Sequence, residues 1–83
     1  MSKHSYEFVE EYSDLVGFGY DRKTDENTLI YYLQKFSDDK HAALILSRMS
    51  DSDMEELFNL IGGLLKKHLT EEEYHSQFLK EDD

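Results

Sequence analysis

The chemistry open to this 83-residue sequence rests chiefly on four histidines and nineteen carboxylates, because it contains no cysteine. Two spacings stand out. Asp38-x-x-His41 and Glu72-x-x-His75 each put a carboxylate and an imidazole one helical turn apart. Carboxylate-bridged di-metal bundles use two Glu-x-x-His turns with two further glutamates projecting into the core. A first helix would have to supply those extra ligands here. Its acidic residues, Glu7, Glu10, Glu11 and Asp14, fall opposite its apolar stripe. One of the two turns also begins with aspartate, and an acid three places before a histidine recurs by chance in so acidic a chain. His41, Asp38, His75 and Glu72 are thus the candidate metal ligands, and the expectation is that no metal or other cofactor is bound.

The remaining routes to catalysis are poorer. His68 and His75 fall on apolar helical faces, where a partly buried ring near helix-terminal carbonyls or a polar neighbour accounts for them. There is no Gly-x-Ser-x-Gly elbow, and Ser37, Ser50, Ser52 and Thr70 stand where helix caps are needed. Gly17-Phe-Gly19 lacks the third glycine and the preceding strand of a dinucleotide loop. The protein is not expected to be an enzyme.

The elements that would carry these residues read as helices throughout. Proline is absent, and the glycines stand only at 17, 19, 62 and 63. A first helix is expected over 5–16, with Phe8, Val9, Tyr12, Leu15 and Val16 on one face and Gly17 as its left-handed C-terminal residue. The loop 17–24 carries Phe18 and Tyr20, which should tuck over a small core. A second helix is expected over 25–36, capped by Thr24 or Asp25, burying Leu29, Tyr32, Leu33 and Phe36, with Tyr31 pointing away. Ser37 should cap a third helix opening at Asp38-Asp39, with Ala42, Ile45, Leu46 and Met49 inward and Leu44 off the stripe. Ser52 with Glu55, and Thr70 with Glu73, have capping-box spacing. They should open a fourth helix and a fifth over 71–80, the latter with Tyr74, Phe78 and Leu79 inward. The expected fold is all-α: a compact bundle of four to five short helices in a single domain, residues 1–83, frayed at 1–4 and 80–83.

The fourth helix holds the strongest pattern. Met54, Leu57, Phe58, Ile61, Leu64, Leu65 and His68 share one stripe, and Gly62 and Gly63 land opposite it. A glycine inside a helix costs roughly 0.8–1.0 kcal/mol relative to alanine, so a solvated face gives no packing reason to accept two. Either the helix bends or breaks there, or another chain approaches along Asn59, Gly62, Gly63 and Lys66, the candidate partner-binding residues. A second copy would also cover Tyr31, Leu44 and Leu60. A homodimer, or a contact with another protein, is the expectation.

Composition narrows the partners. Nine basic residues against nineteen acidic ones give a net charge of −10. Affinity for phosphate comes from clustered Lys and Arg, and here these residues occur at most in pairs, Arg22-Lys23 and Lys66-Lys67. Neither nucleic acid nor an anionic membrane is expected as a partner. The acidity serves solubility, or a basic protein partner captured by mimicry of nucleic acid. With a mean hydropathy of −0.73, no membrane span and no leader-like apolar stretch are expected, and the cytoplasm is the expected location.

Asp21-Arg-Lys-Thr-Asp-Glu-Asn-Thr-Leu-Ile30 and Lys66-Lys-His-Leu-Thr-Glu-Glu-Glu-Tyr-His75 resemble parts of a small bacterial family labelled only as a cytoplasmic protein. The resemblance spans most of the chain. It implies a bacterial cytosolic origin and carries no activity, cofactor or site residue. Protein–protein interaction is therefore the leading expectation, ahead of a metal-binding bundle and an acidic nucleic-acid mimic.

Overall fold

The computed structural model describes residues 7–81. The fold is all-α, with no strand among the described residues. Its helices are α1 (Glu7–Glu11), α2 (Arg22–Phe36), α3 (Asp39–Arg48), α4 (Asp51–His68) and α5 (Glu71–Glu73), the last running directly into a π-helical turn, Tyr74–Phe78. Cα packing separates the described chain into two compact units, residues 7–47 and 48–81. The expected frayed positions 1–4, 82 and 83 lie outside the described residues.

In the first unit, α1 is shorter than the sequence pattern suggests. Tyr12 still donates its N–H to the Phe8 carbonyl (2.9 Å), but its hydroxyl turns to the Leu15 carbonyl (2.7 Å) and the chain leaves the helix. Gly17 is therefore not a helix terminator. Its N–H donates to Thr28 Oγ1 at 3.0 Å, and its carbonyl accepts from the same hydroxyl at 2.9 Å. The left-handed glycine is Gly19, at φ 98°, which lets the N–H groups of Gly19 and Tyr20 converge on Asp25 Oδ1 (2.8 and 3.3 Å).

α2 begins earlier than expected because Asp21, rather than Thr24 or Asp25, is its N-cap. The Asp21 carboxylate accepts from the Thr24 N–H (2.9 Å) and hydroxyl (3.0 Å). The face of α2 turned toward α1 also differs from the apolar one. Thr28 is 3% exposed, whereas Leu29, Tyr32 and Leu33 are 49–64% exposed. Polar anchors decide this orientation. Gln34 Oε1 accepts the Val9 N–H (2.9 Å), Thr28 holds Gly17, and Tyr31 turns toward Tyr12, their ring centroids 5.9 Å apart. Phe18 and Tyr20 are both 67% exposed and do not tuck over a core.

Ser37 closes α2, giving its N–H to Leu33 and its hydroxyl to the Gln34 carbonyl. Asp38 takes over the capping of α3, accepting from the N–H groups of Lys40 and His41 (3.2 and 3.3 Å).

In the second unit, α4 starts one turn-half sooner than the Ser52–Glu55 spacing implies. Ser50 and Asp53 form the capping box, with Asp53 N–H to Ser50 Oγ at 3.0 Å and Ser50 N–H to Asp53 Oδ2 at 3.3 Å. The helix then runs unbroken through Gly62 and Gly63 to His68. Thr70 and Glu73 form the expected second box (2.9 and 3.1 Å). Beyond it the backbone widens by one residue per turn, Leu79 N–H reaching the Tyr74 carbonyl at 3.0 Å. Lys80, at φ 57°, reverses the chain. Tyr74 is half-buried, but Phe78 (44%) and Leu79 (38%) are exposed rather than inward.

Among the described residues no hydrophobic side chain is buried, and Thr28 alone is.

Candidate interaction surface

α4 is positioned by its ends. Its Ser50–Asp53 box fixes the first turn, acidic Asp51 and Asp53 sit there, and Lys66, Lys67 and His68 occupy the last turn, all with the sign that suits the macrodipole. Between these ends the steps of three and four place the large apolar residues on one side. Met54 (46%), Phe58 (77%), Ile61 (43%) and Leu64 (48%) are exposed there, while Leu57 and Leu65 are half-buried. Leu60, on the flank, is 59% exposed. Amphipathicity made the stripe legible in the sequence; the exposure of its large residues was not. Large contiguous apolar patches rimmed by charge mark contact sites.

Asn59, Gly62, Gly63 and Lys66 lie along the other side of α4, all exposed. A methyl group placed on Gly62 or Gly63 would meet no described atom within 4 Å. The glycines neither break nor end the helix. Gly62 and Lys66 do border an open cleft of about 460 Å³ at the α4–α5 corner, with Leu65, Leu69, Thr70, Glu71 and Tyr74.

Three of the four candidate metal ligands, Asp38, His41 and His75, have local partners. The Asp38 carboxylate caps α3. His41 Nδ1 lies 2.9 Å from the Phe36 carbonyl; a carbonyl only accepts, so this nitrogen carries the proton. The ring also meets Phe36 edge-on, centroids 5.2 Å apart. His75 pairs with Glu81, Nδ1 to Oε1 at 2.7 Å, rather than with Glu72. Among the described residues no three His, Cys, Asp or Glu side chains gather to hold a metal.

A second open cleft, about 1000 Å³, lies within the first unit, lined by Val9, Glu10, Val16, Tyr31, Tyr32, Gln34, Lys35, Phe36, Asp38, His41 and Ile45. Lys35 Nζ sits 5.3 Å from the centre of the Tyr31 ring, a cation–π contact on its wall. The sequence pattern did not reveal this cleft, because it depends on α2 turning its polar face to α1.

Acidity is shifted at the start of α2. Hydrogen bonds from the Thr24 backbone and hydroxyl hold Asp21 below its ordinary value. Arg22 and Glu26 pair across one turn at 2.8 Å, which lowers the carboxyl of Glu26 and raises the guanidinium of Arg22. Both side chains are well exposed, so the pair supports the helix only modestly.

No helix among the described residues is long and apolar enough to cross a membrane. Comparisons with protein-family models, with curated proteins and with solved structures find no match, so they neither support nor oppose the bacterial resemblance.

Proposed function

We propose that this protein is a small, acidic, non-catalytic protein–protein interaction module that self-associates as a homodimer. The observation behind this reading is the exposed stripe Met54, Phe58, Ile61 and Leu64 on an end-capped helix, in a chain whose described residues bury no hydrophobic side chain. A short chain with so little covered apolar surface gains most by burying it against another polypeptide. The apolar stripe, rather than the glycine side, is the contact face in this reading. Local contacts weigh against the metal-binding alternative: Asp38 caps α3 and His75 pairs with Glu81. A bacterial cytosolic setting belongs to the same proposal, on the cysteine-free composition and the resemblance of the Asp21–Ile30 and Lys66–His75 segments.

Sedimentation equilibrium tests it. The purified chain is expected to be dimeric at micromolar concentration, and Phe58→Ser is expected to shift it toward monomer. A wild-type chain that stays monomeric throughout the micromolar range overturns the proposal.

A further inference from the structure

We draw no further inference here: the strongest candidate, the open cleft of the first unit walled by Val9, Tyr31, Tyr32, Phe36 and Ile45, carries nothing, because its Lys35–Tyr31 contact joins residues one turn apart on α2 and nothing in the structure shows what fills it.

Discussion

Thr28 and Gly17 are joined twice: the threonine hydroxyl accepts the glycine N–H at 3.0 Å and donates to the glycine carbonyl at 2.9 Å. This reciprocal pair bridges eleven residues of chain and centres on the one buried side chain of the described structure. It substitutes for the helical hydrogen bonds that the backbone gives up after Glu11. Thr28→Val keeps the shape and removes both bonds, leaving a part-buried N–H and C=O unpaired. The expected cost is about 1–3 kcal/mol, read as a lowered denaturation midpoint at unchanged m-value. Thr28→Ser keeps the hydroxyl and should lose distinctly less.

This bond pair also shows where sequence reading stopped. The helix count, the all-α class and the Thr70–Glu73 box followed from periodicity and capping spacing, which are local. The face of α2 turned toward α1 did not follow. Leu29, Tyr32 and Leu33 form the better apolar stripe, yet Thr28, Tyr31 and Gln34 face α1 because they meet Gly17, Tyr12 and Val9. A hydroxyl that satisfies two backbone groups from a distant loop leaves no periodic trace. The caps moved for a related reason: Asp21, Asp38 and Ser50 each compete with an equally suitable neighbour, and spacing alone does not rank them. On α4 the stripe was legible, while its openness required coordinates, since periodicity says which residues share a side and nothing about what covers it.

Lys80 holds the left-handed turn that follows the π-helical segment, at φ 57°, and Glu81 N–H closes onto the His75 carbonyl at 3.0 Å. A side chain in this conformation costs roughly 1–2 kcal/mol, which glycine does not incur. Lys80→Gly is therefore expected to stabilise the chain, by up to about 1 kcal/mol after glycine's extra unfolded entropy is counted. Thermal unfolding against Lys80→Ala separates the backbone effect from loss of the ammonium: the alanine variant should show no gain.

Asp21 gives the start of α2 an acid-sensitive cap. Its folded-state acidity is stronger than ordinary because the carboxylate accepts from the backbone and hydroxyl of Thr24. A lowered folded value means that its contribution is present above the unfolded carboxyl's titration and is lost as pH falls through the folded one. Glu26, lowered by Arg22, acts in the same direction. Asp21→Asn retains an uncharged cap. It should match or fall slightly below wild type at neutral pH and exceed it once Asp21 is protonated. Paired thermal melts across the acid range check this; a difference between the two proteins that stays constant with pH would refute the role.

Gly62 and Gly63 separate the two sides of α4 experimentally. Neither would bring a new methyl group within 4 Å of a described atom, so alanine is free to form its better helix. Each substitution is expected to add roughly 0.8–1.0 kcal/mol. If Met54, Phe58, Ile61 and Leu64 make the contact with the second copy, Gly63 faces away from it, and Gly62→Ala/Gly63→Ala raises the melting temperature while leaving the dimerisation constant within about twofold, a change of about 0.4 kcal/mol. A close approach along Asn59, Gly62, Gly63 and Lys66 predicts the reverse, because two added methyl groups would push the helices apart and dissociate the dimer while each chain becomes more helical. Circular dichroism and sedimentation on the same samples distinguish them: helicity and dimer retained together place the contact on the apolar side, and helicity gained with dimer lost places it on the glycines.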